Sequence, residues 1–152
     1  MTQDLILDRG ARWLTKAGLR PTRQRLCLAA LLVGDGHDRH VTAEGLHAAA
    51  EAKGEPVSLA TVYKSVHTFV ELGLLREVSP LHDSQRLDAN LEPHHHLVCT
   101  QCKAVVDIPA DALSPVEVRG HLPRKFRPKQ FRVEVLGVCA DCAAQASNPG
   151  KS

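Results

Sequence analysis

Two Cys-x-x-Cys pairs stand in the second half of the chain, and each follows a stretch with the pattern of a β-strand. The pairs are Cys99 with Cys102 and Cys139 with Cys142. Two residues between thiolates allow both sulfurs to bind one ion from a tight turn, and two such turns complete a tetrahedral site. Independent redox pairs or free thiols are the alternatives, but thioredoxin-like pairs begin a helix, whereas these follow strand patterns. The spacing therefore favours a structural zinc site.

Three consecutive histidines, residues 94–96, come just before the first cysteine pair. Side chains alternate along a strand, so His94 and His96 share one face and His95 points away. Asp88 lies upstream, and Asp107 lies in the next strand-like stretch. Two imidazoles with carboxylates and no sulfur suit Fe²⁺, Mn²⁺ or Zn²⁺. For an isolated triplet, a solvated polar strand end is the other interpretation, and the pattern alone leaves both open.

Four helical patterns and two short strand-like stretches precede these residues. The helices are predicted over 4–17, 22–34, 42–54 and 58–73, and the strands over 74–80 and 84–89. Thr42 and Ser58 are good N-cap residues, and Gly73 suits the C′ position. Three helices, a fourth helix and a hairpin form the order of a winged helix-turn-helix, whose last helix enters the major groove. An amphipathic helix in an all-α bundle is the alternative.

The fourth helical pattern divides into an apolar and a polar face. We expect the following residues to face inward: Leu59, Val62, Val66, Phe69, Val70 and Leu72. Nearer the outer face we expect Ala60, Thr61, Tyr63, Lys64 and His67. A small residue, a hydroxyl, a phenol and an amine suit contacts in a DNA groove.

Composition limits the class of protein. The chain has 152 residues, is 43% hydrophobic but only 3% aromatic, and has a net charge of +2. Residues 1–25 carry six basic and two acidic side chains, a local charge of +4 that suits a polyanion or a solvated helix face. We find no signal peptide pattern and no apolar run long enough for a bilayer, so we expect a cytoplasmic protein with no membrane partner. Five cysteines then indicate metal or thiol chemistry, with Cys27 a buried apolar residue of a helix.

Prolines and glycines interrupt the segment between the second and third strand patterns of the second half. Pro115, Gly120, Pro123 and Pro128 limit any helix there to a short one. The last strand pattern is "FRVEVLGVC", and the terminal "SNPGKS" is expected to be disordered.

Six motifs, in this order and spacing, resemble the ferric uptake regulator (Fur) family. They are "RPTRQR", "SLATVYKSVHTFVELGLL", "RLDAN", "HHHLVCTQC", "VVDIP" and "VEVLGVCADC". The resemblance covers about residues 10–145 and implies a metal-dependent repressor that binds double-stranded operator DNA as a homodimer, not an enzyme. It implies an α+β fold: a winged-helix DNA-binding domain over 1–87, a C-terminal α/β dimerisation domain over 88–145 and a disordered tail over 146–152.

The resemblance also assigns site residues. The four paired cysteines match the family's structural zinc ligands. The ligands of a regulatory Fe²⁺ or Mn²⁺ match His40, Asp88, His94, His96 and Asp107. Among the residues expected to meet DNA, Tyr63 and Lys64 match the base-reading pair, with Lys where Arg is common. Lys16 matches a basic residue near the minor groove, and Thr61 joins them on the expected outer face.

Aspartates at both Asp88 and Asp107 resemble the peroxide-sensing PerR branch, because the iron-uptake branch usually has glutamates there. That branch implies peroxide as the only small-molecule substrate, with iron-catalysed oxidation at His40 or His94. An iron-responsive regulator, of the iron-uptake or Irr type, is the main alternative; a zinc enzyme or a purely structural zinc module is a lesser one. Phe131 replaces a histidine that many members use for an extra metal site. The basic residues 124–129 have no assigned family role, and a solvated loop is the expected interpretation.

Overall fold

The protein is described by a computed structural model over residues 2–34, 40–78 and 86–146. The chain divides into two compact units, one ending at Leu91 and the other beginning at Glu92. The tail expected to be disordered lies outside the described residues, except for Ala146, which ends a short helix.

Four helices form the bulk of the first unit, at the positions that the sequence predicts. They are α1 (Gln3–Lys16), α2 (Arg23–Val33), α3 (Ala43–Ala52) and α4 (Leu59–Glu71). Thr42 and Ser58 cap α3 and α4. The Thr42 hydroxyl accepts a hydrogen bond from the N–H of Gly45 at 3.0 Å, and the Ser58 hydroxyl accepts one from the N–H of Thr61 at 3.2 Å. Gly73 follows α4 with φ at 70°, a conformation that glycine adopts without steric cost.

The core of the first unit is almost entirely aliphatic. Leu14, Leu28, Val62 and Phe69 are completely buried, and the rings of Phe69 and Trp13 pack in a T-shaped arrangement with centroids 5.1 Å apart. This packing fixes which side of α4 faces inward. It also corrects the expectation that Leu59 and Leu72 face the core, because both are exposed at the two ends of the helix.

A small antiparallel sheet completes the first unit. It consists of β1 (His40–Val41), β2 (Arg76–Val78) and β3 (Arg86–Asp88), with β3 in the centre. Helices α1 to α4 followed by β2 and β3 confirm the winged helix-turn-helix, and β1 is an addition that the sequence does not predict. The connection over 79–85, including the predicted turn, lies outside the described residues.

The second unit is a three-stranded sheet with a short helix. Its strands are β4 (His94–Cys99), β5 (Val105–Pro109) and β6 (Glu134–Gly137), and α5 (Ala140–Ala146) follows. The central strand β4 pairs with β5 antiparallel and with β6 parallel. As expected, the segment between β5 and β6 has no long helix, only short 3₁₀ turns at Ala110–Ala112 and Pro123–Lys125. The mixture of helices and sheets confirms the α+β class.

Within the described residues, no helix combines the length and the apolar character that crossing a membrane requires.

Candidate metal centres and candidate DNA-binding helix

The four paired cysteines converge in the second unit. The sulfur atoms of Cys99, Cys102, Cys139 and Cys142 all lie within 4.8 Å of one another. Cys99 and Cys142 are buried, whereas Cys102 is exposed. Four thiolates at this separation match the donor set of a tetrahedral structural zinc site.

Two tight turns bring the cysteine pairs together. After β4, the N–H of Lys103 donates to the Cys99 carbonyl at 3.0 Å, and Lys103 has a left-handed φ of 68°. Thr100 ties this turn to the other strand, because its N–H donates to the Gly137 carbonyl at 2.8 Å. Cys139 stands just before α5 and Cys142 lies within it, so this pair does begin a helix, contrary to the expectation that both pairs stand only at strand ends.

The charges of the four sulfurs are not independent. Backbone N–H groups of Cys139 and Cys102 stabilise the Cys99 thiolate and lower its pKa to about 6. The sulfur of Cys139 and burial have the opposite effect on Cys142, whose pKa rises to about 12. The cluster therefore favours deprotonation of Cys99 and opposes deprotonation of Cys142. A divalent cation removes that opposition, so the cluster can hold a metal ion with all four thiolates charged.

A second cluster of metal-ligating side chains lies on the β4–β5 ladder of the same unit. His94 and His96 share one face, as the alternation predicts, and their Nε2 atoms are 3.0 Å apart. Asp107 is the cross-strand partner of His96, and its Oδ1 lies 3.5 Å from Nε2 of His94 and 3.4 Å from Nε2 of His96. The two histidines are buried, so this polar group is not a solvated strand end. Two imidazoles and a carboxylate can hold a metal ion there.

One hydrogen bond orients the first of these histidines. Nδ1 of His94 lies 2.7 Å from the carbonyl oxygen of Glu92, to which it donates. The neutral ring then carries its lone pair on Nε2, the atom that faces His96 and Asp107. His95 points to the other face, where its Nδ1 accepts from the N–H of Val133 at 3.3 Å. The Glu92 carbonyl has no sequence signal, because any residue at that position offers the same group.

A histidine and a carboxylate also pair in the first unit. His40 and Asp88 are cross-strand partners on β1 and β3, and Nε2 of His40 lies 4.0 Å from Oδ2 of Asp88. Asp88 is only 2% exposed, and its Oδ1 accepts a hydrogen bond from the N–H of Asn90 at 2.8 Å. A buried carboxylate needs such partners, because an isolated buried charge is unstable.

The outer face of α4 presents polar side chains, as predicted. Tyr63, Lys64 and His67 are exposed, and Thr61 is half-buried in the first turn. The Tyr63 hydroxyl donates to the carboxylate of Glu44 on α3, which lowers the pKa of Glu44 and raises the pKa of Tyr63. Sequence reasoning misses Glu44, because the contact joins two helices and has no local pattern.

A polar concavity of about 330 Å³ lies beside this face. Its walls include Arg25 from the first turn of α2 and Lys64 from α4. Two cations and a helix N-terminus beside an open concavity suit an anionic group. Lys16, the remaining residue expected to meet DNA, ends α1 and is exposed.

Comparison with known proteins agrees with this arrangement. The profile described as "Ferric uptake regulator family" matches residues 16–136. A relative described as "Peroxide-responsive repressor PerR", from Staphylococcus epidermidis, is 30% identical over 144 residues, which cover 95% of each chain. The PerR of Staphylococcus aureus strain Mu50 is 29% identical over 136 residues, 90% of each chain. These relatives are described as repressors and not as enzymes.

Solved structures share the fold. The ferric uptake regulator of Helicobacter pylori matches with a TM-score of 0.63 and 17% identity, covering 94% of this chain and 95% of that one. The extent of the profile match and the similarity to the Staphylococcus epidermidis repressor show that the chain belongs to the ferric uptake regulator family of metal-dependent transcriptional regulators.

Proposed function

We propose that this chain is a repressor that binds operator DNA when it holds Fe²⁺ or Mn²⁺, and that leaves DNA when hydrogen peroxide oxidises a histidine ligand. The observation that carries the proposal is the buried convergence of two imidazoles and a carboxylate, His94, His96 and Asp107, with no sulfur among them. Such donors hold Fe²⁺ and Mn²⁺, whereas thiolates select softer ions.

The regulatory ion takes five ligands in this proposal, and they come from both units. They are His40, Asp88, His94, His96 and Asp107. Support comes from each unit by itself, since the first offers a buried histidine–aspartate pair and the second offers the three-residue cluster. When held by these residues, Fe²⁺ would catalyse the transfer of electrons from an imidazole ring to peroxide.

The histidines have two roles in this reaction. Before oxidation, His40 and His94 would bind the ion through a ring nitrogen. The Glu92 carbonyl accepts a hydrogen bond from Nδ1 of His94, which leaves Nε2 of that ring unprotonated and able to bind the ion. In the net reaction, one peroxide oxygen enters a ring carbon and the other leaves as water. The altered ring is a poorer ligand, so the ion is lost. The relatives described as peroxide-responsive repressors support this chemistry over simple iron sensing.

The cysteine cluster holds structural zinc, separate from the sensing ion. Zinc has no redox chemistry of its own, and its four thiolates have their lone pairs engaged by the ion. We therefore expect the cysteines to be spared at a peroxide dose that modifies the histidines.

DNA is bound through α4 of a homodimer in the cytoplasm. Tyr63 supplies contacts to base edges or methyl groups, and Lys64 meets a base or a phosphate. Thr61 and Lys16 add contacts to the backbone and the minor groove. Two α4 helices of a dimer reach half-sites separated by about one turn of DNA.

An ion with ligands from both units links metal binding to the placement of α4. Losing one ligand removes the link, and couplings of about 1–3 kcal/mol are typical of such linked equilibria. The affinity for DNA is then expected to fall roughly 5- to 150-fold when the ion leaves.

The test is binding of the purified protein to its own promoter with and without Mn²⁺. We expect Mn²⁺ to promote binding of the wild type but not of Asp107→Ala, while both proteins retain zinc. Equal binding with and without Mn²⁺, or an Asp107→Ala protein that responds like the wild type, contradicts the proposal.

A further inference from the structure

One segment of the second unit concentrates positive charge to an unusual degree. Residues 119–132, which we term the basic arm, contain six Lys and Arg side chains and neither Asp nor Glu. The whole chain has a net charge of only +2, so the residues outside the arm have a net charge of −4 (2 − 6). A local charge of this size on an otherwise acidic chain suits a polyanionic partner.

The charges of the basic arm are available to such a partner. All six side chains belong to exposed residues: Arg119, Arg124, Lys125, Arg127, Lys129 and Arg132. Over the described ranges, none of them forms an ion pair or a side-chain hydrogen bond. Two basic residues of the first unit differ in this respect, since Arg12 pairs with Asp8 and Arg23 pairs with Glu55 at 3.0 Å.

An aromatic side chain stands in the middle of these cations. Phe126 is 68% exposed, the highest value among the large apolar side chains of the described residues, and Lys125 and Arg127 flank it. With neighbouring residues it lines an open concavity of about 580 Å³. Cations that reach phosphates, beside an apolar ring that packs on sugars or base edges, are the usual components of nucleic-acid surfaces.

The backbone of the basic arm limits the conformational entropy that is lost on binding. Pro123 and Pro128 fix φ at two positions, and both lie within or next to the run of cations. A segment with fewer accessible conformations loses less entropy when a ligand orders its side chains. The arm is therefore better prepared for a partner than a glycine-rich loop of the same charge.

We infer that the basic arm binds the sugar–phosphate backbone of duplex DNA as a second contact, in addition to α4. The inference rests on the proposed function, because a duplex held by the first unit is tethered to the same chain as the arm. The contact carries no sequence information. It raises the affinity for operator and unrelated DNA alike.

The experiment measures DNA affinity of the full-length, zinc- and Mn²⁺-loaded protein over a range of salt concentrations. The probes are a duplex of its own promoter and an unrelated duplex of equal length. The test variant is Arg124→Gln, Lys125→Gln, Arg127→Gln and Lys129→Gln combined. The matched control removes the two acids that precede the arm, Asp111→Asn with Glu117→Gln. Circular dichroism and zinc content establish that both variants are folded, and two double variants, R124Q/K125Q and R127Q/K129Q, replace the quadruple one if it is not.

We expect the slope of log affinity against log salt to become shallower by about 0.9 for each phosphate that the variant no longer neutralises, up to roughly 3.6 for the four substitutions of each bound subunit. Affinity falls by a similar factor on both probes, so the ratio between them is unchanged. The control variant binds at least as tightly as the wild type.

An unchanged slope in a folded variant overturns the inference. Single-stranded RNA and anionic lipid vesicles serve as additional probes, and a loss of binding confined to either of them, with duplex binding intact, also overturns the inference. A wild type that binds both duplexes equally with and without Mn²⁺ contradicts the proposed function instead. In that case, the difference in salt slope between the wild type and the arm variant on the unrelated duplex still decides the role of the arm.

Discussion

Removing the structural zinc is expected to unfold the second unit and leave the first one folded. The perturbation is Cys99→Ser, which replaces a buried sulfur ligand of the cysteine cluster. Because the two units are compact by themselves, their stabilities can be measured separately along the same chain.

The expected loss of stability follows from the apolar side chains that each unit buries. Among the described residues of the second unit, the buried apolar side chains are Val98, Cys99 and Cys142, and two of these three belong to the zinc cluster. Burying one Val contributes about 1.5–3 kcal/mol, whereas structural zinc in small domains contributes about 10–16 kcal/mol. The stability of a whole domain is about 5–15 kcal/mol. The free energy lost with the zinc therefore exceeds the stabilisation that the remaining contacts of the second unit provide. The aliphatic core of the first unit is unchanged by the substitution.

Hydrogen exchange followed by mass spectrometry resolves the two units. In Cys99→Ser, peptides of 92–146 should lose protection even with excess Mn²⁺, and peptides of α2 and α4 should keep it. Cys27→Ala is the matched control, since Cys27 is similarly buried but belongs to the core of the first unit. Full protection of 92–146 in a zinc-free Cys99→Ser protein refutes the reasoning.

Three further substitutions test the first unit. Lys64→Ala should make the salt dependence of DNA binding shallower by about 0.9 for each subunit whose Lys64 amine contacts a phosphate, and an unchanged slope in a salt titration excludes that contact. Tyr63→Ala should reduce discrimination between promoter and unrelated duplex by about 1–3 kcal/mol with the salt slope unchanged; equal discrimination assigns base reading to other residues. Phe69→Ala should lower the free energy of unfolding of the first unit by about 3–5 kcal/mol, measured by urea denaturation, and a loss below about 1 kcal/mol contradicts its central place in the core.

Local sequence signals suffice for most of the first unit. The start and end of α4 are predictable because Ser58 and Gly73 act on their own neighbours, through a capping hydroxyl and a left-handed φ. The shared face of His94 and His96 is predictable for the same reason, since strand alternation is a local property.

Features that depend on distant partners are not predictable in this way. Strand β1 has two residues and exists only because it pairs with β3. The Tyr63–Glu44 hydrogen bond joins residues 19 positions apart on different helices. The exposure of Leu59 and Leu72 depends on where α4 extends beyond the core, and apolar periodicity does not contain that information.

The most direct test of the proposed function is a small peroxide pulse given to the Fe²⁺-loaded protein on its promoter, followed by peptide mass spectrometry and a DNA-binding assay. The account predicts one added oxygen atom on His40 or His94, unmodified zinc-site cysteines and release of DNA. The Mn²⁺-loaded protein should bind DNA and show none of these changes, because Mn²⁺ does not readily supply the electron that peroxide requires. If the Fe²⁺ form keeps both histidines unmodified and stays on DNA, peroxide sensing is contradicted and an iron-responsive regulator takes its place.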